Sequence, residues 1–151
     1  MNIVYKTLQK SLLWVLVLAF VIFYPMLISI YVFFPLLVGV MGYLFMKGLE
    51  TNRISYIVIS LVYFLNLEAN LALPFFLILI SSLLVYTLFY SHLNYFRKCR
   101  ICRPILSVIL IDFVYLGLLL SYDFIFQTTS IVLDNILAYS LVVDLLVVVL
   151  L

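Results

Sequence analysis

The stretch HLNYFRKCRICR, His92–Arg103, lies between two long apolar runs and holds four of the eight lysine and arginine residues, Arg97, Lys98, Arg100 and Arg103. A soluble protein distributes such cations over its whole surface. Here they are concentrated in a break between hydrophobic segments, as happens when the segments lie in lipid and their connections lie in water. The stretch therefore predicts a polytopic membrane protein, and this basic loop decides which way the protein faces.

The composition of the 151-residue chain is typical of a protein whose solvent is the bilayer. Hydrophobic residues make up 69% and charged residues 9%, against about half and about a quarter in soluble domains. Because unsatisfied backbone groups cost several kcal/mol in lipid, spanning segments are helices or closed barrels, and these runs lack the alternation of barrel strands. We expect an all-α helical bundle forming a single transmembrane domain, residues 1–151. The net charge of +2 reflects cations at the breaks and does not indicate a nucleic-acid partner.

Six membrane-spanning helices account for the apolar runs. The uncharged run Leu12–Met46 would extend roughly 52 Å as a helix, so we divide it near Pro35, with Pro25 as a kink in the first span. The alternative is that Pro25 is itself the turn. Pro74 and Pro104 are expected to open later spans, and the short third span either tilts, continues through residue 68 or is re-entrant. The predicted spans are 12–31, 35–49, 54–67, 74–92, 104–122 and 130–151.

The positions of the cations predict the orientation. If the amino end is cytoplasmic, all eight lysine and arginine residues fall in cytoplasmic segments, and none falls in the three outer connections. The amino-terminal run is too long for a cleaved signal peptide and has no A-x-A-like site, so it is interpreted as a retained anchor. We therefore expect both chain ends in the cytoplasm and a location in the bacterial inner membrane.

The sequence contains none of the common catalytic motifs. It has no phosphate-binding loop, nucleophile elbow, H-E-x-x-H zinc site or dinucleotide fingerprint. Its single histidine excludes a catalytic histidine pair and a bis-histidine haem site. We expect a protein that is not an enzyme and has no cofactor.

A C-x-x-C pair, Cys99 and Cys102, lies in the basic loop, seven residues after His92. The neighbouring cations and the spacing allow a redox or metal site. A structural zinc site needs four ligands, and only these three residues are available. The simpler interpretation is two reduced thiols in the cytoplasm, and no metal is expected.

Four carboxylates within or beside the spans are the main polar candidates. Carboxylates in a membrane usually face the bundle interior, and counting from the span ends places Asp112 and Asp144 at similar depth. With no lysine or arginine inside any span, at least one of the two should be protonated or hydrogen-bonded. They could form a proton or cation relay, contact a partner helix, or hold spans 5 and 6 together. Glu68 and Asp134 lie near the outer face, where exposure to headgroups or water explains them.

The pattern as a whole resembles the rod-shape determining MreD family of bacterial inner-membrane proteins. The resemblance covers roughly residues 12–124. It is carried by Lys10 before a span containing Trp14, the Phe34-Pro35 step, the Asn66-Leu67 step, the aromatic basic loop Tyr95-Phe96-Arg97-Lys98, and Asp112.

The resemblance implies a non-catalytic scaffold subunit that links cell-wall elongation enzymes to cell shape. Its partners would be MreC, the RodA glycosyltransferase with its transpeptidase, and the MreB cytoskeleton. The chain itself would lie in the lipid bilayer. The alternative is a small membrane transporter or substrate-binding subunit in which Asp112, Asp144 and Glu68 line a polar path. A membrane-embedded enzyme lacks the paired reactive side chains it would need.

Overall fold

The computed structural model describes the backbone of residues 2–31, 34–95, 101–127 and 135–150, and the side chains of residues 12, 14–31, 34–89, 101–127 and 139–150. These residues form six helices and no strand, which confirms the all-helical prediction for the described part of the chain. The helices are α1 (Asn2–Ile30), α2 (Val38–Thr51), α3 (Ile54–Asn70), α4 (Leu77–Tyr95), α5 (Cys102–Phe126) and α6 (Asn135–Leu150). Helix α2 is central and packs against α3, α4, α5 and α6, whereas α1 packs along α3.

Pro25 lies inside α1 and is fully buried, so it is not the turn between two spans. Proline has no N–H group, and the carbonyl of Val21, four residues earlier, therefore loses its helical hydrogen bond. The side chain of Asn66 on α3 occupies this position. Its Nδ2 donates to the Ile22 carbonyl at 2.7 Å and lies 3.5 Å from the Val21 carbonyl oxygen. Asn66 thus supplies α1 with a donor at the point where proline removes one.

We expect Asn66→Leu to lower the free energy of unfolding by about 1–3 kcal/mol, because it leaves carbonyls of α1 without a donor. In a Pro25→Ala background the alanine N–H restores the bond to Val21, and the same substitution should cost less. Detergent unfolding of the two single variants and the double variant measures this coupling. Equal costs in both backgrounds would show that Asn66 does not compensate for the proline.

Two predicted helix starts are wrong. Helices α2 and α4 begin at Val38 and Leu77, three residues after the prolines that were expected to open them. The residues just before these starts, Leu37 and Phe76, have φ angles of 51° and 66°, in the left-handed region that interrupts a helix. The third predicted span does continue past residue 67, because α3 runs to Asn70.

The distribution of side chains differs from that in a soluble protein, because large apolar side chains are exposed as well as buried. Large apolar side chains are widely exposed, for example Phe113 at 65% and Phe124 at 87%. Carboxylates are buried, with Glu68 at 0% and Asp144 at 1% exposure, and five serines are buried as well. Isolated exposed apolar residues are ordinary in soluble proteins, but exposed apolar faces on several helices indicate an apolar environment or partner.

One described helix, Cys102–Phe126, is long and apolar enough to cross a membrane, with a mean hydropathy of 2.2. Shorter apolar helices of 10–17 residues cover Trp14–Ile30, Ile54–Asn70, Leu77–Phe89 and Tyr139–Leu150.

The described cations lie at one end of the bundle. Arg103 at the start of α5 forms an ion pair with Glu50 at the end of α2. A cavity of about 440 Å³ beside them is lined by Lys47, by the start of α5 and by residues 148–150 at the end of α6. Arg53 immediately precedes α3 and so lies at the same end. The chain therefore brings its carboxyl-terminal residues to the end of the bundle that carries these three cations.

Candidate functional site

The polypeptide enters α2 through a non-helical segment, Phe34–Leu37, that is tied to three helices by side-chain hydrogen bonds. The hydroxyl of Tyr24 on α1 donates to the Pro35 carbonyl at 2.9 Å, and that of Tyr63 on α3 donates to the Leu36 carbonyl at 2.7 Å. The Leu36 N–H donates to the Ser140 hydroxyl of α6 at 2.9 Å. In a helix these carbonyl and N–H groups would hydrogen-bond to the backbone, and here they hydrogen-bond to side chains.

Helix α2 is short and starts in the middle of the bundle. Its 14 residues extend about 21 Å, less than the roughly 30 Å of a hydrocarbon core. Its amino end lies beside Asp112, well inside α5, and Asp144, six residues before the end of α6. The entry segment and the first turn of α2 are therefore enclosed by the other helices.

Gly39, in the first turn of α2, packs tightly against α5. A β-carbon at this position would lie 2.6 Å from Val108 Cγ1 and 2.8 Å from Asp112 Oδ2. No real side chain tolerates such distances, so only glycine lets the two helices approach this closely. One turn further on, a β-carbon at Gly42 would lie 2.9 Å from Ile111 of α5. The two glycines form the surface against which α5 packs.

Gly39 also connects α2 to α6. The Gly39 N–H donates to Asp144 Oδ2 at 2.9 Å, a bond buried from solvent. Asp144 lies four residues after Ser140 on α6, so both side chains face the same side of that helix and reach the same chain segment. A carboxylate at this position accepts one of the amide hydrogens that every helix leaves unpaired in its first turn.

Each of the two aspartates has one oxygen atom without a hydrogen-bond partner among the described residues. These atoms are Asp112 Oδ2 and Asp144 Oδ1, and both are inaccessible to solvent. The nearest described cations along the chain are Lys47, eight residues beyond Gly39 on α2, and Arg103, nine residues before Asp112 on α5. Both distances exceed 10 Å by the rise of a helix, so neither cation pairs with the aspartates directly. The site is an acidic pair held by a glycine and a helix amino terminus.

The expectation that Glu68 is exposed at the outer face is wrong. Its side chain is fully buried, and its two oxygens accept the N–H groups of Phe76 at 2.7 Å and Ile78 at 2.8 Å. Glu68 thus caps the start of α4, whose first N–H groups have no helical partner. The hydrogen bond also holds the backbone of Phe76 in its left-handed conformation. Glu68 therefore has a helix-capping role that is distinct from that of the aspartate pair.

Several predicted residues lie outside the described residues or side chains. These are Asp134, Arg97, Lys98, Arg100, Cys99 and the side chain of His92. The expectation of two reduced thiols is wrong for Cys102, which is disulfide-bonded at the start of α5 and so does not supply a metal-binding thiolate either. Among the side chains that the structure does describe, no group of three potential metal ligands occurs.

Three residues at the site were not identified from the sequence: Tyr24, Tyr63 and Ser140. Both tyrosines are buried and hydrogen-bond the entry segment. The spacing of Ser140 and Asp144 was a usable signal, because it places two polar side chains on one face of an apolar helix. The hydrogen bond from the Gly39 N–H to Asp144 had no comparable signal in the sequence, since it joins residues 105 positions apart.

Comparison of the chain with protein-family models, curated proteins and solved structures found no match.

Proposed function

We propose that this chain is a multi-pass protein of the bacterial inner membrane and that it acts as a non-catalytic, MreD-like scaffold of the cell-wall elongation machinery. The observation that carries the membrane assignment is the exposure of large apolar side chains on several helices, together with the burial of two carboxylates and five serines. Lipid or a partner helix covers such a surface favourably, whereas water does not. The scaffold role rests on the sequence resemblance together with the large apolar surface that the bundle presents.

The location of the described cations at one end supports the proposed orientation, with both chain ends in the cytoplasm. The disulfide at Cys102, at that same end, is an observation against this orientation, because disulfides persist in the periplasm and are rare in the cytoplasm. We expect alkaline phosphatase inserted at Ala72, between α3 and α4, to be active, because its disulfides form only in the oxidising periplasm. The same insertion at Asn52, between α2 and α3, should be inactive. Phosphatase activity of the Asn52 fusion, or inactivity of a stably produced Ala72 fusion, would contradict the proposed topology.

An apolar groove along α1 is the surface we assign to a partner. It has a volume of about 540 Å³ and lies between α1, α2 and α3, where Trp14, Phe20, Met41 and Tyr56 contribute to its walls. Helix α1 also exposes large apolar side chains on its remaining surface, such as Phe23 at 63%. The occupant we propose is an apolar transmembrane helix of a cell-wall synthesis protein, which packs into a groove of this kind by shape.

We expect a photo-crosslinking phenylalanine analogue at position 20 to form an adduct with a cell-wall synthase or MreC in intact cells. The control is the same analogue at Phe113, which is also an exposed phenylalanine but lies on α5, away from the groove. Mass spectrometry of the adducts identifies the partner. Adducts of equal yield at both positions, or adducts with lipid alone at position 20, would contradict a specific partner in the groove.

One observation favours the second candidate, a small transporter. A helix that begins in the bundle interior, with an aspartate pair at its amino end, has the form of the interrupted helices that bind substrate and coupling ions in transporters. A transporter of this kind loses proton-coupled uptake when Asp112 or Asp144 becomes asparagine. A scaffold keeps its partner adducts in both variants.

A further inference from the structure

We propose that Asp112 and Asp144 together bind a single proton at the amino end of α2, so that the pair is a buried proton-binding site with one negative charge. The inference is independent of whether the chain is a scaffold or a transporter, because it follows from the hydrogen-bonding groups around Gly39.

The site has fewer hydrogen-bond donors than carboxylate oxygens. Asp112 Oδ2 and Asp144 Oδ1 are enclosed and have no donor among the described groups. An enclosed carboxylate oxygen without a donor is unfavourable by several kcal/mol. Both carboxyl groups lie against Gly39, one at its amide and one at its α-carbon. One proton turns one of these carboxylates into a donor and leaves the other as its acceptor, so it relieves both orphan oxygens together.

The amide groups of Gly39 and Val40 at the start of α2 act on the pair, but they leave Asp112 Oδ2 and Asp144 Oδ1 without a partner. The other surrounding groups do not supply a donor. The hydroxyls of Tyr24 from α1 and Tyr63 from α3 already donate to carbonyls of the entry segment. On α4, which packs against α2 and α5, the Ser82 hydroxyl donates to the Ile78 carbonyl of its own helix. The Gly39 N–H is used by Asp144 Oδ2. Lys47 and Arg103 lie more than 10 Å along their helices from the pair.

A proton fits the site better than a metal cation does. Hard cations need about six oxygen ligands, and the pair offers two free oxygens. The amino end of α2 also carries a partial positive charge, which disfavours a bound cation but stabilises one remaining negative charge on the pair. Two negative charges on carboxyl groups that both contact Gly39 repel each other, as in other carboxyl pairs that share a proton. The expected state is therefore one proton and one negative charge.

Infrared spectroscopy of the purified full-length protein, with and without ¹³C-labelled aspartate, tests the proposal. At about pH 7, where an exposed aspartate is ionised, the wild type should show the carbonyl band of a protonated carboxyl group that shifts with the label. The band should be absent from the double variant Asp112→Asn/Asp144→Asn. It should also be absent from each single variant, because the asparagine amide then supplies the donor that the proton supplied. Asp123→Asn, near the end of the same helix α5, is the control and should keep the band.

The labelled wild-type protein alone shows whether an aspartate is protonated at about pH 7, and this result does not depend on whether the variants fold. No aspartate band at about pH 7 would overturn the proposal. A band that keeps its full intensity in one single variant would also overturn it, since it would show that the other aspartate is protonated independently. Acidification should raise the wild-type band above its intensity at about pH 7, after subtraction of the double variant, because the second carboxylate of the pair then takes up a proton as well.

Discussion

Gly39→Ala is expected to prevent α2 from packing against α5 and to lower stability by about 3 kcal/mol or more, at the upper end of overpacking costs. The added β-carbon would lie 2.6 Å from Val108 Cγ1 and within 3 Å of both oxygens of Asp112. Val108 has no room to withdraw, because it is fully buried and branched at its β-carbon. The measurement is the yield and melting temperature of the variant in mild detergent.

Gly117→Ala on α5 is the matched control. A β-carbon at this position would meet nothing within 4 Å. Replacing an interior helical glycine with alanine usually stabilises the helix by about 0.5–1 kcal/mol, so this variant should melt at or above the wild-type temperature. If the two variants melted together, the close approach of α2 and α5 at Gly39 would be incorrect.

Glu68→Leu is expected to lower stability by a similar amount, about 3 kcal/mol or more. Leucine fills the volume but removes the acceptors of two N–H groups, at Phe76 and Ile78, each of which costs about 1–3 kcal/mol when left unsatisfied in a buried position. It also releases Phe76, whose left-handed backbone is unfavourable without that support. The start of α4 should fray, which hydrogen exchange at residues 76–80 would detect.

Two further variants define the cause of that loss. Glu68→Gln keeps one oxygen acceptor and should fall between the wild type and Glu68→Leu. Glu50→Gln breaks the ion pair with Arg103, whose members are both partly exposed, and should cost less than about 1 kcal/mol. A tolerated Glu68→Leu, with unchanged exchange at α4, would show that the buried carboxylate does not cap the helix.

The sequence was sufficient for what depends on composition and on local pattern. Long apolar runs and the positions of charged breaks predicted helices. The predicted break does fall between α2 and α3, although Lys47 and Glu50 lie within the last turns of α2 and only residues 52–53 separate the helices. Counting residues from the span ends placed Asp112 and Asp144 at similar depth, and both lie against Gly39.

What the sequence could not supply were features set by contacts between distant residues. A proline favours a helix start, but hydrogen bonds from Tyr24 and Tyr63 hold the chain after Pro35 out of helix until Val38. Glu68 lies at the end of an apolar run, where exposure is the usual outcome. Its burial depends on two amide groups beyond the following turn, which hydropathy alone does not reveal.

The bonds that seat the start of α2 have a consequence for synthesis of the chain. Leu36 and Gly39 are made more than a hundred residues before their partners Ser140 and Asp144. Until the ribosome has delivered α6, the amide groups of Leu36 and Gly39 lack these two acceptors. The start of α2 therefore reaches its native hydrogen bonding only after α6 has been made, so these two contacts are late steps in folding.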